Sequence, residues 1–171
     1  KLGIPGSVIV IDSPWETCYN DFNFNKKQFP KYKQMIQTAH DNGYKVVLWI
    51  APYTNVTNNT DMVGIQLQKC NNYDMALKQH MFVLGKDGKV SVVEWWKGVG
   101  SLFDFTNPEA VRYWKDSIKS LMETGDDGMK VDDGESEFAI EGIYSDGTSG
   151  PRMRNRFCEL YHRATYEAVS G

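Results

Sequence analysis

Gly128-Met-Lys-Val-Asp-Asp-Gly-Glu135 is the stretch on which the reading of the fold turns. Met129 and Val131 are apolar, Lys130 interrupts them, and Asp132, Asp133 and Glu135 close the run. The pattern predicts a short strand that delivers carboxylates at its C-terminal tip. The residues before it predict a helix. Asn107 caps it, Pro108 fits the first helical position, and Glu109 complements the helix dipole. Val111, Trp114, Ile118 and Leu121 recur at helical spacing, and Gly125 ends the pattern with a left-handed cap. Helix, tight turn, strand, acids at the tip: in parallel α/β proteins the chemistry sits at that end of the strands.

Two earlier segments repeat the theme. Ser7-Val-Ile-Val-Ile-Asp12 is a continuous apolar run, the sign of a strand buried on both faces, and it ends in Asp12-Ser-Pro-Trp15. A polar, aromatic loop follows. Phe29-Pro30 then leads into a helix, with Pro30 early in it and Tyr32, Met35, Ile36 and Ala39 on its apolar face. Asn42-Gly43 closes that helix. Lys45-Val-Val-Leu-Trp-Ile50 predicts a second buried strand, ended by Ala51-Pro52-Tyr53. After Gly150, a last helix from Pro151 to Val169 carries Met153, Phe157, Leu160, Tyr161 and Ala164 on one face.

Between the second strand and the capped helix lies a long excursion, residues 54–100. Asp61 to Tyr73 offers a short helix. Met81 to Val93 predicts a β-hairpin around the Gly85-Lys-Asp-Gly88 turn, with Trp95 and Trp96 just beyond it. A connection this long in a compact domain usually carries function. The order of elements is β-α-β, insert, α-β-α. No glycine-rich phosphate loop follows the first strand, which disfavours a dinucleotide fold. A partial (β/α)8 barrel of about three βα units fits, with residues 1–171 as one piece of a catalytic domain and residues 54–100 inserted in it. Three strands alone would leave two sheet edges open and one face bare, so we expect the remainder of the barrel as a partner.

Composition narrows the function. A net charge of −3 does not point to nucleic acid as a partner, and no apolar run approaches a membrane span. Aromatics form 13% of the chain, an excess that suits a stacking ligand such as a carbohydrate, although core packing accounts for most aromatics. The three cysteines, Cys18, Cys70 and Cys158, match no zinc spacing. Cys18 and Cys70 fall in loops on the side of the strand ends, where one disulfide is possible. Asn55-Val-Thr57 and Asn58-Asn-Thr60 are glycosylation sequons that lean toward a secretory or lumenal route, as far as such common tripeptides can.

Three strand ends thus offer Asp12 with Trp15, Trp49 with Tyr53, and Asp132 with Asp133 and Glu135. Carboxylates beside aromatic platforms are what a glycosidase needs. The sugar stacks on an indole, one carboxylate meets the anomeric carbon, and a second carboxyl protonates the leaving oxygen. Each residue also has a plainer reading. A strand-end Asp is as often a turn or cap residue, Lys130 could be a structural ion-pair partner, and Trp49 and Trp114 could be core.

Lys130-Val-Asp132-Asp-Gly-Glu135 resembles the nucleophile motif of glycoside hydrolase family 31. Val10-Ile-Asp12 with Trp15, Asp21-Phe-Asn-Phe24, Lys45 through Tyr53, and Asp104-Phe-Thr-Asn-Pro108 resemble its other segments in order. Trp15-Glu-Thr-Cys-Tyr19 and Trp95-Trp-Lys-Gly-Val-Gly100 are most similar to a branch that includes α-galactosidases. The resemblance implies a retaining α-glycoside hydrolase, α-galactosidase-like, with an α-glucosidase type or a catalytically silent carbohydrate-binding relative as the alternatives. It makes Asp132 the nucleophile, with Asp12 bonding sugar hydroxyls and Trp49 walling that subsite. Lys130 would donate to a hydroxyl beside the nucleophile, and Trp15 and Trp96 would shape the pocket or the leaving-group side. Asp133 departs from the family's usual aromatic or small residue. It would crowd Asp132 with like charge, or face away and cap the turn. Glu135 is expected behind the reacting groups, and the general acid/base is expected beyond Gly171.

Overall fold

The computed structural model describes residues 5–59, 69–135 and 137–171. Among them ten α-helices and β-strands follow one another: β1 (Val8–Ile11), α1 (Tyr32–Asp41), β2 (Lys45–Ile50), β3 (Tyr53–Asn58), α2 (Tyr73–Lys78), β4 (Val93–Trp95), β5 (Gly98–Leu102), α3 (Pro108–Met122), β6 (Gly128–Val131) and α4 (Met153–Ser170). The predicted helix at 61–73 falls largely outside the described residues; α2 begins at Tyr73. Among the described residues no helix is long and apolar enough to cross a membrane.

The strands form two sheets. β1, β2 and β6 are parallel and adjacent in that order, as the buried-strand pattern predicts. β2 is central, and Val46, Leu48, Trp49 and Ile50 are buried. Among the described residues β1 is an edge strand with β2 on one side, and Val8, Ile9 and Val10 are 50%, 41% and 48% exposed, less covered than their composition suggests. With Ile11, Met35 and Tyr44, Ile9 lines an apolar groove between this edge and α1.

The second sheet, in the order β3-β5-β4, is antiparallel. It corrects the predicted hairpin. Residues 81–93 make only a one-bridge turn, Leu84 opposite Val90, and the paired strands lie further on. The reason is steric. A Cβ on Gly98 would come within 2.2 Å of the Thr57 carbonyl oxygen, and one on Gly100 within 2.4 Å of Asn55 Oδ1. Only glycine lets β5 lie this close to the bulged β3, and Gly98 also takes a φ of +130°.

Helix α3 starts as predicted, with the Asn107 side chain accepting the Glu109 N–H at 2.9 Å and Pro108 in the first position. Gly125 follows its end at φ +111°. Helix α1 starts at Tyr32, so Pro30 lies two residues before it rather than early in the helix. α3 and α4 pack together around Trp114, whose ring meets Phe22, Phe103, Phe105 and Tyr161 and whose N–H donates to Thr165 Oγ1 at 3.0 Å. Trp114 is core. On α4, Met153, Phe157, Tyr161 and Ala164 are buried as expected, while Leu160 is only half-buried.

Cys18 and Cys70 form a disulfide, with Cα atoms 5.5 Å apart, and Cys158 remains a thiol. The sequons lose their meaning. Asn55 is fully buried, its amide donating to Asn58 Oδ1 and to the Lys97 carbonyl, and Asn58 is 3% exposed. Neither can carry a glycan in this fold, so they give no support to a secretory route.

The turn before β6 holds two acids of opposite character. Asp127 bonds Lys45 (2.8 Å), the Val46 N–H (2.9 Å) and His40 (2.7 Å). Burial opposes its charge, but these partners outweigh burial and hold it at about 2. Asp126 is 3% exposed, accepts from Thr124 Oγ1, and its Oδ1 has no hydrogen-bond partner among the described residues. Burial, reinforced by the charge of Asp127, pushes it up to about 6. A raised folded-state pKa favours folding below the unfolded value of 3.8 and loses that advantage as pH rises through about 6. Asp126→Asn has no such titration. The stability difference between variant and wild type should therefore shift toward the variant by up to about 3 kcal/mol between pH 4 and pH 7.5. Thermal unfolding of both proteins at the two pH values measures it; a pH-independent difference would contradict the assignment.

Candidate active site

Strand register explains why the predicted residues meet. Ile11 pairs with Leu48, and Trp49 pairs with Lys130. Asp12, Trp49 and Lys130 therefore fall in one row across the sheet, and Asp132, two residues beyond Lys130, shares its face. The side chains close on one another accordingly. Lys130 Nζ reaches Asp12 Oδ2 at 2.6 Å and Asp132 Oδ2 at 3.9 Å. The Trp49 indole N–H donates to Asp132 Oδ2 at 2.7 Å. Asp12, Lys130 and Asp132 remain 53%, 43% and 38% exposed, so all three are open to a ligand at the rim.

The electrostatics follow from these contacts. Burial is the largest single influence on Asp12 and opposes its charge, but the Lys130 hydrogen bond, the Ser13 N–H and the charges of Lys130 and Lys97 together outweigh it and carry its pKa below the usual carboxylate range. The same hydrogen bond raises Lys130, which stays cationic. Asp133 is pushed up, first by burial and then by Asp132 and Glu135, against the Trp96 N–H and Lys97.

Two of the predicted aromatic platforms are not platforms. Trp15 and Trp49 have no exposed surface. Trp15 donates its N–H to the Trp49 carbonyl at 2.8 Å, and Trp49 in turn holds Asp132. They are packed beneath the rim because the loop after β1 folds back over the β2 tip. Trp96 is the open one, 56% exposed, at the turn between β4 and β5. Its N–H donates to Asp133 Oδ2 at 3.0 Å, so Asp133 is neither idle nor only a turn residue. Glu135 is exposed and borders an open cavity of about 590 Å³ with Tyr53, Glu94, Trp95, Trp96, Asp133 and Phe138. Among the described residues no group of three or more His, Cys, Asp and Glu side chains is placed to hold a metal ion.

Two residues at the site were not anticipated. Lys97 is a buried cation, 5% exposed, with Nζ 4.0 Å from the Trp96 ring centre and 5.8 Å from that of Tyr19. The only signal in the sequence was its place beside two tryptophans. Tyr161, fully buried on α4, directs its hydroxyl to the carbonyls of Ile50 and Asp132, both at 3.2 Å, and so ties two strand tips together. Periodicity marked Tyr161 as core and could say nothing of its hydroxyl.

A carboxylate fixed by an indole N–H, beside a cation, on an open rim, can attack or stabilise an electron-poor carbon. Comparison with known proteins gives this arrangement a context. The sequence matches the glycosyl hydrolases family 31 TIM-barrel domain along residues 1–171. It is 28% identical over 168 residues to alpha-xylosidase XylQ of Lactiplantibacillus pentosus, covering 97% of this chain and 20% of that protein. It is 29% identical over 116 residues to the myogenesis-regulating glycosidase of Mus musculus, covering 67% of this chain and 14% of that protein. The cycloalternan-forming enzyme of Listeria monocytogenes superimposes with a TM-score of 0.75 at 26% identity, over 98% of this chain and 17% of that one. The chain spans about a fifth or less of these relatives.

Proposed function

The chain belongs to glycosyl hydrolase family 31, and from that premise we propose that it is the nucleophile-bearing part of a retaining α-glycoside hydrolase. One observation carries the reading: the Asp132 carboxylate, pinned by Trp49 at 2.7 Å with Lys130 at 3.9 Å, stands at an exposed strand tip. Asp132 attacks the anomeric carbon while an acid from the rest of the barrel protonates the leaving oxygen. Water, deprotonated by the same group, then releases the sugar with its configuration retained. Asp12 and Lys130, paired to each other, receive the sugar hydroxyls, one accepting and the other donating. Trp49 and Trp15 hold Asp132 from beneath. Residues 1–171 form part of a (β/α)8 domain, with residues 54–100 as an insertion whose Trp96 faces the leaving-group side. The chemistry uses no cofactor.

The substrate is a terminal α-linked sugar. Asp12, Asp132 and Asp133 outnumber Lys130 and Lys97 around the rim, which favours an uncharged sugar over an acidic one. The similarity of two short motifs to α-galactosidases favours α-galactosides, and the named α-xylosidase relative favours α-xylosides. The test is to offer the full-length protein α-galactosyl, α-xylosyl and α-glucosyl donors carrying a fluorine beside the anomeric carbon. Trapped protein is then digested and the labelled peptide read by mass spectrometry. The label should sit on Asp132 and the product of the unmodified donor should keep the α configuration. A label on Asp133 or Glu135 would overturn the residue assignment, an inverted product the mechanism, and no turnover of any donor would favour a silent carbohydrate-binding relative.

A further inference from the structure

Trp96 is a large indole at the tip of a turn, more than half exposed, yet it is held at four points. Asp133 takes its N–H at 3.0 Å, and Lys97 Nζ lies 4.0 Å from its ring centre. Its ring also meets Trp49 edge-on at 6.3 Å and Trp95 at 6.2 Å. Trp49 holds Asp132. The open cavity of about 590 Å³ also borders Trp96, with Tyr53, Glu94, Glu135 and Phe138 around it. Trp96 is therefore a contact shared by the nucleophile's support and the cavity.

Asp133 is built for the anchoring role. Its φ of +59° lies in the left-handed region, where Asp, Asn and Gly are the residues tolerated. In that conformation its N–H donates to Asp132 Oδ1 at 3.2 Å while its carboxylate meets Trp96. One residue thus touches the nucleophile with its backbone and the indole with its side chain.

We infer that Asp133 is a specificity-determining residue for the leaving group, anchoring Trp96 so that a sugar in the adjoining cavity stacks on its indole. The inference rests on the glycosidase reading. The cavity fits a sugar rather than a purely apolar group, because Glu94 and Glu135 present carboxylates that accept hydroxyls, and Tyr53 and Phe138 supply aromatic wall.

The experiment compares two substrates of the full-length protein with the same sugar on the cleaved side. One is an α-linked disaccharide, which fills the cavity; the other is the α-glycosyl fluoride, whose leaving group does not reach it. Asp133→Gly removes the carboxylate and fits the left-handed backbone, and Trp96→Phe removes the N–H without touching the nucleophile turn. Each should lower kcat/KM on the disaccharide about tenfold or more relative to its effect on the fluoride. Asp133→Asn, which can still accept the indole N–H, should restore the wild-type ratio, and the double variant should be no worse than either single one. Equal losses on both substrates, or an additive double variant, would overturn the anchoring role. Wild-type protein inactive on both substrates would instead overturn the glycosidase reading, and this inference with it.

Discussion

Asp132→Asn in the full-length protein is expected to lower turnover by on the order of 10⁴-fold or more, the scale on which loss of a catalytic nucleophile acts. The amide has the shape of the carboxylate but will not form the glycosyl ester. Its oxygen can still accept the Trp49 N–H that Asp132 Oδ2 accepts at 2.7 Å, and the amide gives up only the longer 3.2 Å bond from the Asp133 N–H. Tyr161 bonds the backbone carbonyl of residue 132 rather than its side chain, and that contact survives too. The loss should therefore fall on kcat, with product-sugar affinity changed by only a few-fold and the melting temperature nearly unmoved. Titration with the product sugar, beside steady-state rates, separates the two. A variant that loses binding as fully as turnover would recast Asp132 as a binding group.

How much of this was legible beforehand depended on the kind of contact. Asp12, Trp49, Lys130 and Asp132 could be found because a parallel strand has a period of two and a polar tip, and register does the rest. Asn107, Pro108 and Gly125 were legible for the same reason: capping is local chemistry. What failed was tertiary. Trp15 and Trp49 looked like platforms because nothing in the chain announces that the loop after β1 covers them. Residues 81–93 have higher β-propensity than Gly98-Val-Gly-Ser-Leu102, yet the glycines won, since only they tolerate the approach of Asn55 and Thr57. Val8, Ile9 and Val10 carry the composition of a strand covered on both faces, but the described residues cover β1 on one side. Lys97 drew no reading of its own because burial of a lysine against aromatic faces has no periodicity.

Lys130→Met should also separate catalysis from stability, this time at a charged pair on the rim. The Lys130–Asp12 pair is short, 2.6 Å, but its partners are 43% and 53% exposed. Water screens such a pair, and its contribution to folding is about 0–1 kcal/mol. Met preserves most of the aliphatic stem, so packing against the sheet is largely kept. The expected change in melting temperature is accordingly small. Activity should respond differently. With a sugar bound, water leaves the rim, and the same ammonium faces Asp12, Asp132 and the ligand's hydroxyls at lower effective dielectric. Removing one charged donor from such a site lowers the rate by about 10²–10³-fold. Asp12 would lose the partner that contributes most to holding its pKa down, so its titration should move upward. The acidic limb of the kcat/KM profile should shift to higher pH with it. Unfolding curves and a pH–rate profile of the full-length variant make the comparison. If the melting temperature falls by many degrees while the remaining folded protein turns over at the wild-type rate, Lys130 is a structural ion-pair partner and has no part in the chemistry.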